Sequence, residues 1–170
     1  MLKIAIVFIV GLLAVPLLLA LATVLGCFPS RSTSTPPKWE TALGARALDA
    51  SLERRSKGLT NPIAANDRAA LAAGAKIYGD SCAGCHGDLK GPSTWGSNDF
   101  YPRVPQFWQQ MESDLTPEEA FAAIHDGIRY SGMGAWRDQM KDDDIWKVAN
   151  YVARIHNPSP QQPKVTGQQR

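Results

Sequence analysis

Two cysteines and a histidine stand together at Cys82-Ala83-Gly84-Cys85-His86. Thiols spaced in this way can each form a thioether to a vinyl group of one haem. The histidine that follows can reach the iron, so C-x-x-C-H reads as covalent haem attachment. The competing chemistries are a closed zinc site, a thiol–disulfide pair and a chance match. A structural zinc usually takes four Cys or His ligands. The chain holds three cysteines (Cys27, Cys82, Cys85) and three histidines (His86, His125, His156), and Cys27 lies far off beside an apolar segment. A redox dithiol would sit between a strand and a helix, whereas here a helical pattern precedes Cys82 and a glycine-rich loop follows it. The expectation is one covalent haem c, held by Cys82 and Cys85 and ligated by His86.

An iron held on one face needs a second ligand or an open site on the other. Met133, in Ser131-Gly132-Met133-Gly134-Ala135-Trp136, is the best candidate. Flanking glycines let backbone approach a flat macrocycle, and a thioether opposite an imidazole raises the reduction potential. The plainer reading is that Met133 fills a core gap, as most methionines do; Met111, beside Trp108, and Met140 are read that way. His125 and His156 are alternative ligands, but both fall within helical stretches that suit packing or solvent.

The elements that must position these residues read as helices. Asn66 and Asp67 are good N-caps, and Leu71, Ala75 and Tyr78 recur at helical spacing up to the haem motif. Thr116-Pro117-Glu118-Glu119 combines a capping threonine, a proline suited to the first turn and a closing glutamate. That helix is expected to reach Asp126, with Gly127 past its end. A last helix starts in Asp142-Asp143-Asp144, where acidic residues suit a helix N-terminus. Its apolar stripe is Ile145, Val148, Ala149, Val152 and Ile155, and Asn157-Pro158 ends it. No segment alternates with a period of two, so the fold class is all-α. The nineteen residues from Gly87 to Pro105 show no helical period, and so long a loop normally needs a functional reason. A haem supplies one, because Trp95, Phe100, Tyr101 and Phe107 gain an apolar disc to bury against. Ser93 to Asn98 read as solvated.

Residues 66–157 resemble a single-haem class I cytochrome c domain, on three motifs. These are Cys82-Ala83-Gly84-Cys85-His86, the Gly-Met-Gly-Ala-Trp segment at Met133, and a C-terminal helix opening Asp144-Ile145-Trp146. Gly74 and Tyr78 match the glycine and aromatic of the family's first helix. The resemblance implies that a proline carbonyl accepts the proximal histidine's ring N–H. Pro105 is the better match and Pro102 the second choice; such bonds orient the ring and tune the metal. It also implies attachment outside the cytoplasm, hence a bacterial periplasmic haem domain.

Ile4 to Leu25 is a run of twenty-two residues without a charge. At about 1.5 Å per residue it spans roughly 33 Å, enough for a hydrocarbon core of about 30 Å. An uncleaved anchor fits this length better than a cleaved signal, whose apolar region is usually about 7–15 residues. Val24-Leu25-Gly26-Cys27 also resembles a lipoprotein cleavage site that would leave Cys27 lipidated. The organisation expected is an anchor or signal at 1–27, a linker with a short helix near Thr41–Arg55 at 28–65, the haem domain at 66–157 and a frayed tail at 158–170. The linker helix either covers the haem domain, meets a partner or is a loose spacer.

Charge is unevenly shared beneath the overall +2. Residues 28–65 carry six basic and three acidic side chains, net +3, and residues 66–157 carry nine and thirteen, net −4. Nothing supports nucleic-acid binding. These readings converge on a non-enzymatic electron carrier anchored in a bacterial inner membrane. It would pass one electron at a time between membrane donor and acceptor proteins, with no small-molecule substrate. Tyr101 and Trp136 are expected to shield the iron pocket. The alternatives are a fixed haem subunit of a larger respiratory or photosynthetic complex and, if the Met133 bond is labile, a haem peroxidase or gas sensor.

Overall fold

The computed structural model describes residues 2–64, 66–107 and 115–156, the side chains of 2–9 and 156 excepted. The tail at 158–170, the Asn157-Pro158 stop, Met111 and Trp108, and the side chain of His156 lie outside the described residues. Among the described residues there are six helices and no strand beyond an isolated bridge between Asp88 and Gly91. The all-α expectation holds.

Residues 1–34 form one unit. Its helix α1, Leu2–Val24, has Pro16 inside it and exposes Leu12, Leu13, Leu17 and Leu18 to between 63 and 70%. A helix therefore forms where the anchor was expected. Yet among the described residues no helix is long and apolar enough to cross a membrane. The membrane-spanning anchor expected of this helix is therefore not shown. Cys27 is an exposed free thiol.

The second unit begins at Thr35, earlier than the haem-domain boundary at residue 66. Helix α2, Lys38–Ser56, buries Leu52 and packs on α5. Arg55 donates to the carbonyls of Ala122 and Gly127 and to the Asp126 carboxylate. Those groups lie at the negative dipole end of α5, where a cation is favoured. The segment after α2 is tied to α6: Asn61 and Asn150 exchange amide hydrogen bonds of 2.8 and 3.1 Å, and Asn150 also donates to the Trp146 carbonyl. The expected linker helix thus packs on α5, and the segment after it is bonded to α6.

Helix α3, Arg68–Ser81, opens on Asp67, whose carboxylate accepts from the amides of Ala69 and Ala70. Its buried face is Ala70, Gly74 and Tyr78, one residue round from the expected Leu71 and Ala75, which are half-buried. The rotation follows from Gly74, which lets the backbone of α6 come into contact. Helix α4 is the single turn Ala83–His86. Helix α5, Pro117–Asp126, starts with the expected capping box between Thr116 and Glu119. Helix α6, Asp142–His156, buries Ile145, Trp146, Val148, Ala149, Val152 and Ala153; Ile155 is only half-buried. The core lies where α6 meets α3 and α5, around Tyr78, Phe121, Ile145, Trp146 and Val148.

Candidate haem site

The haem motif continues α3 into α4. The Cys82 amide donates to the Tyr78 carbonyl, and the Cys85 and His86 amides both return to the Cys82 carbonyl at 3.1 and 3.0 Å. This turn makes the two cysteines helical neighbours at i and i+3, which share one face. Both are half-buried free thiols. Burial, helped by neighbouring Cys85, pushes the Cys82 thiol up to about 11. Before attachment it is therefore held as a protonated thiol.

The His86 ring is fixed from two sides. Its Nδ1 lies 2.9 Å from the Pro105 carbonyl oxygen, so Nδ1–H donates there and Nε2 is the nitrogen that would ligate an iron. The Phe107 ring stacks on the imidazole at 4.7 Å and 12°, and the Phe107 amide donates to the His86 carbonyl. Pro105 occupies the position that the sequence favoured over Pro102.

The loop from Gly87 to Pro105 is latched onto the motif. The Ser93 hydroxyl donates to the Gly84 carbonyl at 2.6 Å and accepts from the Gly96 amide, while the Ser93 amide donates to the Gln106 side chain. Gln106 in turn donates to the Cys85 carbonyl. Ser93 is only 7% exposed, which corrects the expectation that Ser93 to Asn98 is simply solvated. Ser93 and Gln106 satisfy the backbone groups that α4, one turn long, leaves without partners. Sequence reasoning missed both residues, since a serine and a glutamine in a loop carry no distinctive spacing.

The Met133 segment is held by its own backbone. Met133 donates its amide to the Ser131 hydroxyl and accepts from the Ile128 amide, while the Trp136 amide donates to the Ile124 carbonyl. Met133, Trp136, Cys82 and Phe107 all pack against the same core cluster, as does Met140 in its expected filling role. Gly132 lies under the Phe100 ring: a side chain there would stand 2.6 Å from it. Trp95 in turn tilts against Phe100 at 4.8 Å. The loop aromatics therefore meet the Met133 segment through Phe100. Tyr101 points elsewhere; its hydroxyl donates to Glu40 of α2 and the residue is 39% exposed. His125 is engaged at the α5–α6 junction, 2.8 Å from Asp126 and stacked on Phe121.

These residues fit one haem. The two thiols share a helical turn, the imidazole has its outer nitrogen bonded, and a thioether and aromatic walls stand on the same core. Among the described residues no group of three His, Cys, Asp or Glu could hold a metal ion.

Comparison with known proteins agrees. Residues 69–152 match the family model described as cytochrome c oxidase, cbb3-type, subunit III. Cytochrome c6 of Cladophora glomerata is 31% identical over 86 residues, which are 51% of this chain and 89% of that protein. Among solved structures, a reducing HAO-like protein complex of Kuenenia stuttgartiensis aligns with TM-score 0.47 and 20% identity, over 58% of this chain and 47% of that one. Cytochrome cL of Methylophaga aminisulfidivorans aligns with TM-score 0.38 and 22% identity, over 52% and 54%. The chain thus spans about half the length of these two structures. With its haem motif running into α4 and the similarity covering nearly all of that cytochrome c6, the chain belongs to the class I monohaem cytochrome c family, and its cofactor is one covalently bound haem c.

Proposed function

We propose that this protein is a membrane-tethered electron carrier that passes single electrons between membrane redox partners, with its haem domain in the bacterial periplasm. The observation that carries the reading is the turn Ala83–His86 with its N-cap Cys82, which presents two thiols and an imidazole already oriented by Pro105. Bound haem supplies a one-electron Fe(II)/Fe(III) couple. Cys82 and Cys85 would hold it covalently, and His86 and Met133 would ligate its iron. Pro105 fixes the His86 ring. Trp136 and Phe100 keep water from the Met133 side, and Tyr101 ties the loop to α2. With His86 and Met133 both ligating the iron, no coordination site would be left for a substrate. The tether rests on the uncharged run from Ile4 to Leu25 and on the exposed apolar side chains of α1.

Met133→Ala tests the ligand assignment. Loss of the thioether should lower the reduction potential and let the reduced protein bind carbon monoxide rapidly. An unchanged potential overturns Met133 as the ligand. A second reading, a fixed subunit of a larger oxidoreductase, is favoured by the description of the matching family model. Purification in mild detergent separates the two: a carrier comes away alone, a subunit comes with stoichiometric partners.

A further inference from the structure

Helix α2 has two sides, and only one is used by the fold. Leu52 and Arg55 face α5. At 3.6 residues per turn, the opposite side carries Trp39, Leu43, Arg46, Ala50 and Arg54, and all five are exposed. Trp39 is 68% and Leu43 62% exposed, a large aromatic and an aliphatic one turn apart on the same face. Asp49 and Glu53 fall at its edge, and Glu53 is paired with Lys57 at 3.6 Å.

Apolar side chains flanked by arginines suit the boundary between lipid headgroups and acyl chains. Tryptophan is at home there, and arginine can bury its stem while its head stays wet. The charge distribution selects the same surface. Residues 28–65 are net +3 and residues 66–157 net −4, so an anionic surface attracts the α2 side and repels the rest. Thirteen residues, 25–37, join α1 to α2; fully extended they reach at most about 45 Å.

We propose that the outer face of α2, centred on Trp39 and Leu43, lies in the headgroup layer of an anionic lipid bilayer and sets the orientation of the haem domain on it. This rests on the membrane tether proposed above. The test uses the full-length holoprotein in vesicles containing phosphatidylglycerol. Spin labels are placed singly by Leu18→Cys, Leu43→Cys or Leu89→Cys, each combined with Cys27→Ser, since the haem thioethers block the other two thiols. Accessibility to oxygen and to a water-soluble nickel chelate is read by power saturation. A label at 43 should favour oxygen, lose that preference in purely zwitterionic vesicles, and lose it with Arg46→Gln and Arg54→Gln together. The exposed loop position 89 should stay aqueous. A label at 43 as aqueous as that at 89, with 18 buried in lipid, overturns the inference and leaves the tether standing; a protein partner for this face would give that result. An aqueous label at 18 overturns the tether itself.

Discussion

Replacing Gly74 with alanine adds one methyl group where α3 and α6 touch through their backbones. That carbon would stand 2.2 Å from the Lys147 carbonyl oxygen, 2.7 Å from its carbonyl carbon and 3.1 Å from Cβ of Tyr151. The first two neighbours are main chain in the middle of α6, so no rotamer change relieves the clash. Overpacking a core typically costs about 1–3 kcal/mol, and a backbone contact belongs at the upper end. Against this, alanine gains about 1 kcal/mol of helix propensity over glycine. The net expectation is a loss of about 2 kcal/mol, or a fall in melting temperature of roughly 8 °C at about 4 °C per kcal/mol. Gly79 lies on the same helix with nothing within 4 Å of its added carbon. Gly79→Ala therefore keeps the propensity gain alone and should raise the melting temperature. Thermal unfolding of the two holoproteins, followed by far-ultraviolet circular dichroism, gives the comparison. If both variants rise together, the close crossing at Gly74 is not what holds α3 against α6.

Asn150→Leu removes the buried partner of Asn61 and a donor to Trp146, which should cost about 1–3 kcal/mol in urea unfolding. Thr116→Ala removes the capping hydroxyl that accepts from Glu119 and should cost about 1 kcal/mol, again by urea unfolding. At Asp126, partial burial pushes the carboxyl up, but the His125 hydrogen bond and charge and the Arg55 guanidinium outweigh it and hold the group below 3.8. A depressed carboxyl contributes in full above that ordinary value, and the contribution is lost as pH falls through the folded-state value. Asp126→Asn should therefore lower stability at neutral pH and flatten its decline in acid; equal acid slopes for variant and wild type would count against this.

Where local chemistry decides, the fold was legible. The Thr116–Glu119 capping box, the Asp67 cap and the stop at Gly127 each follow from one turn of sequence. The haem motif was legible for the same reason, since Cys82, Cys85 and His86 must share a turn to reach one macrocycle. The Met133 segment showed itself through its flanking glycines. What stayed hidden depends on contacts far apart in sequence. Helix α2 has apolar side chains on both sides, which blurs its periodicity, and nothing local indicates that Arg55 ends on the carbonyls of Ala122 and Gly127. The shift of the α3 face from Leu71 and Ala75 to Ala70 and Gly74 is set by the approach of α6. Tyr101 and Phe100 are adjacent aromatics, and only the path of the loop decides which of them meets Gly132.

The amide exchange between Asn61 and Asn150 has a practical consequence for anyone cutting this protein down. A fragment begun at Asn66, where the family likeness starts, would strip away Leu59, Ile63 and Asn61 together. It would leave Asn150 facing water and an apolar groove on the core newly open to self-association. A fragment begun at Thr35 keeps that cover, so the smallest well-behaved piece of the chain is about thirty residues longer than its haem motifs suggest.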